Sequence, residues 1–231
     1  MPGIARYLVR DGRTVDVAVS PDADRAAARL FLLGSARGAL IHQRGDLPLS
    51  ATTVVAPNFK TVAICSPSTI GKSTLAAALC RRGWQLVADD VTRVSWNGTM
   101  AVAWPSTDRL KLWRDACEMM GQDAETLECV REGMEKYFLT VRAATTPTAL
   151  HMAVRLRVAP YVDIVEIAPA ERVDLLSEST FRPRWIDAMH RRTEHARLVR
   201  EITRTCRGAI LNGARERNIE ELADKFTELI Q

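Results

Sequence analysis

The chain has 231 residues, 47% of them hydrophobic, and a formal net charge of +4. A chain of this length can bury a large core without disulfide or metal staples. The modest charge, spread through Arg-rich segments with no dense basic run and interleaved aromatics, argues against a nucleic-acid binder, though it suits an anionic ligand. The five cysteines, at 65, 80, 117, 129 and 206, form no Cys-x-x-Cys pair and no metal-ligand spacing, so reduced, mostly buried thiols are expected. No signal peptide and no apolar run of membrane-spanning length is read, and a cytoplasmic location is the expectation.

Taken in chain order, Arg6–Val9 and Thr14–Val19 alternate in polarity around Asp11-Gly12 and predict a hairpin. Ala23–Gln43 reads as helix, with Gly34 and Gly38 marking a break or a close helix contact. These pieces make a small N-terminal extension, residues 1–50, packed on a core of residues 51–231, the whole read as one domain. Thr52–Ala56 and Lys60–Cys65 are strands across Pro57-Asn58. The second runs into Ser66-Pro67-Ser68-Thr69-Ile70-Gly71-Lys72-Ser73-Thr74, and a helix beginning Leu75-Ala76-Ala77-Ala78-Leu79-Cys80 follows.

This strand–loop–helix matches the phosphate-binding pattern of Gly, four residues, Gly-Lys and Ser or Thr, except that Ser66 stands at the first Gly. Ser66, Ser68, Thr69, Ile70, Gly71, Lys72, Ser73 and Thr74 are therefore the expected phosphate cradle. Backbone N–H groups and the helix start would face phosphate oxygens, and the lysine would neutralise their charge. Fifteen residues on, the short strand Gln85–Ala88 ends in Asp89-Asp90. One carboxylate there can ligate or orient Mg²⁺ with the Ser73 hydroxyl, and the other can accept a proton from an attacking hydroxyl.

Thr92–Trp96 and Thr99–Ala103 predict a second hairpin over Asn97-Gly98. Helices are expected over Asp108–Met120 and Ala124–Gly133. Ala149–Val158 reads as an alternating strand, with Leu150, Met152, Val154, Leu156 and Val158 on one face, and Tyr161–Ile167 as its partner. Two helices close the reading, Trp185–Cys206 and Asn218–Ile230, the last capped by Asn218 with Glu221 in the capping-box position. His42, His151, His190 and His195 are read as surface or satisfied histidines.

The run Gly71–Ala76 followed by Arg82–Asp90 resembles the kinase domain of HPr kinase/phosphorylase, and in particular the shorter HPr-kinase-like proteins of bacterial biosynthetic clusters, among them lasso peptide kinases. The likeness extends through His42–Leu49, Arg109–Trp113 and Glu135–Tyr137. It implies an α/β fold with a mixed sheet flanked by helices. It also implies ATP and Mg²⁺ as cofactors, and transfer of a phosphoryl group to a serine on a peptide or protein, such as a ribosomally made peptide. No nucleic acid or membrane partner is expected, and homo-oligomerisation is left open.

By position, the resemblance makes Lys72 the ligand of the β- and γ-phosphates, Ser73 and Asp90 the metal ligands, and Asp89 the base. Arg109, Lys111, Lys136 and Arg142 become candidate basic residues, with Arg109 and Lys136 foremost. Two departures bear on activity. Ser66 and Thr69 replace glycines, and Ser50 stands where the family has a histidine paired with the first aspartate. Ser50 can hydrogen-bond Asp89 but carries no positive charge. The alternatives to a kinase are a phosphorylase acting on phosphoserine and a nucleotide-binding module that has lost turnover.

Overall fold

The computed structural model describes residues 3–67, 70–213 and 219–230. β1 (Ala5–Arg10) and β2 (Thr14–Val19) form the expected hairpin, with Asp11 and Gly12 both at positive φ in its turn. The hairpin is tied to the following helices by side chains. Tyr7 Oη donates to the Ala28 carbonyl at 2.7 Å, and Gln43 accepts from the Gly12 N–H at 2.9 Å and donates to the Val9 carbonyl at 3.0 Å.

Asp24 caps α1 (Arg25–Phe31) by accepting from the N–H groups of Ala26 and Ala27. A π-helical turn, Leu32–Ala36, then leads into α2 (Arg37–Gln43). Gly34 sits in that turn, so the helix is rewound there and not broken. Gly38 is a close contact: a Cβ on it would lie 2.6 Å from the Phe181 ring. Gly38→Ala is accordingly expected to destabilise the fold by about 1–3 kcal/mol, as over-packing does. A chemical-denaturation midpoint equal to wild type would show that Phe181 has room to move.

The remaining elements are β3 (Leu47–Leu49), β4 (Ala51–Val55), β5 (Thr61–Cys65), α3 (Lys72–Arg81), β6 (Gln85–Ala88), β7 (Thr92–Trp96), β8 (Ala101–Trp104), β9 (Arg109–Trp113), α4 (Arg114–Met119), β10 (Lys136–Thr140), β11 (Thr148–Val158), β12 (Asp163–Glu166), α5 (Pro169–Glu178), α6 (Arg184–Ala188), α7 (Arg192–Thr205), β13 (Arg207–Gly213) and α8 (Ile219–Ile230). The main sheet runs β3-β7-β8-β11-β5-β4-β6, with β13 beside β11 and β12 on the outside of β13. β11 is parallel to β5 and β13, while β4 is antiparallel to β5 and β6, so the sheet is mixed, as expected.

Helices cover both faces. On β5 the side chains alternate between two cores. Val62 and Ile64 pack with Leu75 and Leu79 of α3 and Phe226 of α8, and Ala63 and Cys65 pack with Leu175 of α5 and Val199 and Ile202 of α7. This is why β5 reads as an unbroken apolar run, the pattern of a strand buried on both faces.

Several expectations are corrected. Asp108–Met120 is not one helix but β9 followed by α4. Leu110 and Leu112 are buried while Arg109, Lys111 and Trp113 are not, which is the period of a strand. β9 pairs with β10, an element the sequence reading lacked. Ala124–Gly133 holds only a short 3₁₀ turn, Ala124–Thr126, because Glu128 and Val130 spend backbone bonds on Phe138 and Lys136. The helix expected over Trp185–Cys206 is split into α6 and α7 by His190 at φ +54.

β12 does not pair with β11. It lies antiparallel to β13, which has taken the place beside β11. The uniform face expected on β11 is also interrupted: a bulge at His151 puts Leu150 in the α5/α7 core, while Met152, Val154 and Leu156 face the α3/α8 core. The His151 Nδ1 accepts the Thr61 N–H at 3.0 Å at that bulge. Strand β3, helix α5 and strand β13 were likewise not foreseen. The Asn218 cap lies outside the described residues.

Candidate functional site

The site forms where β5 and β6 end side by side across β4. Cys65 closes β5, Ser66 is still buried, and Gly71 turns the chain into α3 with φ +97. An L side chain at that φ is strained, so glycine here is required by the backbone. Of the expected cradle, Ile70, Gly71, Lys72, Ser73 and Thr74 line one cavity of about 640 Å³. Ser66 supplies a backbone carbonyl to the lysine, and Ser68 and Thr69 lie outside the described residues.

Lys72 is buried at the first position of α3. Its Nζ donates to the carbonyls of Ser66 at 2.9 Å and Pro67 at 3.2 Å, so the loop closes on its own lysine. Burial lowers the pKa of this ammonium, against the opposing pull of Asp90 and Asp89.

The adjacent aspartates have different surroundings. Asp89 is 5% exposed. Its Oδ1 accepts from Thr52 Oγ1 at 2.8 Å and Ser73 Oγ at 2.9 Å, and its Oδ2 accepts from the Lys111 backbone N–H at 3.0 Å. Burial pushes its pKa up, and the neighbouring Asp90 charge adds to this; Lys111 and the Thr52 hydroxyl work against both.

Asp90 is at φ +64, in a tight turn closed by the Val91 N–H on the Asp89 carbonyl at 2.8 Å. The turn aims its carboxylate, 43% exposed, into the cavity and onto Lys111 Nζ. Desolvation alone would raise its pKa, but Lys111, Lys136 and Lys72 together hold it below the usual carboxylate range. Asp90 is therefore a permanent anion at neutral pH.

β9 and β10 supply the opposite wall. Lys111 bridges both aspartates, with its backbone on one and its side chain on the other. Lys136 faces Trp113 across the β9–β10 pair, its Nζ 5.4 Å from the indole centroid, and both line the cavity with Arg114. Arg109 is not among the lining residues. It pairs with Glu128 at 2.5 Å and stacks on Phe138 at 4.0 Å. Arg142 does not line the cavity either; its carbonyl accepts the Leu86 N–H.

Three features differ from the sequence reading. The Ser73 hydroxyl is bonded to Asp89, where it was expected to work with Asp90. The hydroxyl on Asp89 from β4 is that of Thr52; Ser50 is held through its N–H on the Ser179 carbonyl. A strand reading of residues 48–55, whose polar positions Ser50, Thr52 and Thr53 precede the loop strand, is the signal that could have offered Thr52. Lys111 is a candidate in the sequence but not a foremost one, because the helix expected over it hides the alternation that aims it at Asp90.

His42, His151 and His195 hold structural bonds, and no histidine lines the cavity. His42 Nε2 pairs with the Phe181 carbonyl at 2.8 Å, and His195 Nε2 with Thr180 Oγ1 at 3.0 Å. All five cysteines are free thiols.

Among the described residues no group of three or more His, Cys, Asp and Glu is arranged to hold a metal ion, and no helix is long and apolar enough to cross a membrane. The Ser73 hydroxyl and the Asp90 carboxylate line the same cavity and offer it two oxygens. That fits Mg²⁺, which takes one or two protein oxygens and completes its shell with water and phosphate. The cavity volume is within the range of small-molecule sites.

No family profile matches the chain, and no curated protein matches it significantly. Among solved structures it is similar to the HPr(Ser) kinase/phosphatase from Coxiella burnetii, at 14% identity over 79% of this chain and 95% of that one, with a TM-score of 0.41. A score that low carries no weight for function, which rests on the geometry around Lys72, Ser73, Asp89 and Asp90.

Proposed function

We propose that this chain is an ATP- and Mg²⁺-dependent kinase that phosphorylates a hydroxyl, in the first place a serine, of a peptide or protein. The observation that carries the reading is the placement of Lys72 and Ser73 at the start of α3, with the Ser73 hydroxyl on Asp89 and Asp90 opening into the same cavity. A lysine and a hydroxyl at a helix N-terminus, beside a carboxylate pair, serve phosphate and its counter-ion.

ATP would supply the transferable phosphoryl group and Mg²⁺ the charge that holds its oxygens. Lys72 would leave the Ser66 and Pro67 carbonyls for the phosphates. Ser73 and Asp90 would hold the metal. Asp89, fixed by Thr52 and the Lys111 N–H, would orient Ser73 from behind. Lys111 and Lys136 would offset negative charge across the cavity, a role that phosphoryl transfer places ahead of covalent chemistry. A serine of a ribosomally made peptide is the acceptor class proposed.

A second reading gives Asp89 the acceptor's proton. Burial that raises its pKa favours this, since a better base is held ready. The shielding of Asp89 behind Ser73 favours the first.

The test is direct. Calorimetry is expected to show ATP binding that tightens with Mg²⁺, and γ-labelled ATP is expected to pass label to a serine-containing peptide library. Binding of ATP that ignores Mg²⁺, with no labelled peptide, would leave a nucleotide-binding module without transfer.

A further inference from the structure

Positive charge is concentrated in one segment of the chain. Between residues 182 and 207 eight arginines stand against three carboxylates, a net +5 where the whole chain carries +4. Five of these arginines are occupied. Arg182 donates to Ser35 and stacks on Trp185, Arg191 binds the His42 and Gln43 carbonyls, and Arg192, Arg204 and Arg207 pair with Asp187, Glu201 and Glu166. Arg184, Arg197 and Arg200 are exposed, and their guanidinium groups have no carboxylate partner among the described residues.

Arg184 and Arg200 line one cleft of about 540 Å³ between α5, α6 and α7. Ile186 and Val199, both buried, and the half-buried Val173 give it an apolar floor. The one carboxylate in its lining, Asp187, is spent on Arg192. The cleft is on the α5/α7 side of the sheet, away from the phosphate cavity on the α3/α8 side.

We propose that this cleft is a docking site for an acidic peptide segment. Its carboxylates would meet Arg184 and Arg200, with Arg197 one turn away on α7, and one aliphatic side chain would cover the floor. Unpaired guanidinium groups are the donors that carboxylates fit best, and clusters of arginines are a recurring means of acidic-motif recognition. Nucleic acid is a poorer match. No Trp, Tyr or Phe lines the cleft, so bases would have no ring to stack on.

The test uses the full chain and a fluorescein-labelled octapeptide of alternating glutamate and leucine, followed by anisotropy. Wild type is expected to bind it, and to bind less well as ionic strength rises. The double substitution Arg184→Glu with Arg200→Glu is expected to weaken binding about tenfold, the sum of two exposed charge pairs lost. Arg184→Lys with Arg200→Lys is expected to keep most of it. ATP affinity should be unchanged in both variants, which separates this site from the phosphate cavity and reports an intact fold. Equal binding by wild type and the glutamate variant would overturn the proposal. So would a labelled oligouridylate that binds more tightly than the peptide and displaces it.

Discussion

Lys72→Ala is expected to weaken ATP binding by about ten- to a hundredfold. The ammonium would make charge-assisted hydrogen bonds to phosphate, each contributing about 1.5–3 kcal/mol, and 1.4 kcal/mol is a factor of ten in Kd. The fold is expected to survive, because the polar partners of the ammonium are two carbonyls of the loop, Ser66 and Pro67. The buried charge also carries a pH signature. Burial lowers the Lys72 pKa in the folded state, so the folded protein releases this proton at lower pH than the unfolded chain does. Below the folded pKa both states are protonated and the burial cost is carried in full. As pH climbs from that depressed value toward the ordinary lysine value of about 10.4, the unfolded chain binds more protons and wild-type stability gains relative to the alanine variant. Calorimetric titration with ATP, beside denaturation across alkaline pH, checks both parts. Unchanged ATP affinity in the variant would remove Lys72 from the phosphate site.

The parts of this site that were legible in the sequence are the local ones. The apolar run of β5, the Gly71-Lys72-Ser73 turn and the short β6 ending in two aspartates lie within thirty residues. Their meaning follows from period, from a glycine where positive φ is needed, and from a helix start. What was not legible is the identity of the groups facing them. Thr52 reaches Asp89 from 37 residues away, and the Lys111 N–H reaches it from 22. The polar positions of β4 offer Thr52 only as one hydroxyl among several, and a backbone N–H such as that of Lys111 leaves no mark in the sequence at all.

Strand β9 shows the physical reason most clearly. Leu112 within it and Ala116 just beyond it carry helix-compatible spacing, and only pairing with β10, more than twenty residues on, makes Arg109–Trp113 a strand. Position along the β9–β10 pair then decides which side chains enter the cavity: Lys111 and Lys136 do, while Arg109, on the same face as Lys111 but two residues away, pairs with Glu128. The same holds for β11, whose partners β5 and β13 are brought beside it by crossovers that leave no trace in its own alternation.

Asp89→Asn is expected to keep the fold and to lower both Mg²⁺-dependent ATP affinity and transfer by about 10–100-fold, the cost of losing a group that orients a metal ligand. The fold is kept because the site can accommodate an amide. Its oxygen can take the Lys111 N–H, and its NH₂ can donate to the hydroxyls of Thr52 and Ser73, which accept as readily as they donate. The cost would arise because Ser73 would then be a fixed acceptor and, under the proposed role, would hold the metal without a carboxylate to lean on. Asp90→Asn should remove the metal dependence itself, and it should do so at any pH near neutrality, since Lys111 and its neighbours keep Asp90 ionised well into the acid range. The two variants together separate the two roles open to Asp89. If Asp89 were the base, its asparagine variant would lose about 10²–10⁴ in rate with Mg²⁺-ATP affinity intact, and the acid limb of the pH–rate profile would vanish with it. If Asp89 orients Ser73, affinity and rate fall together and the acid limb persists. Its buried place behind Ser73 and its three hydrogen bonds make the second result the expected one, and intact Mg²⁺-ATP affinity in Asp89→Asn would reverse the assignment.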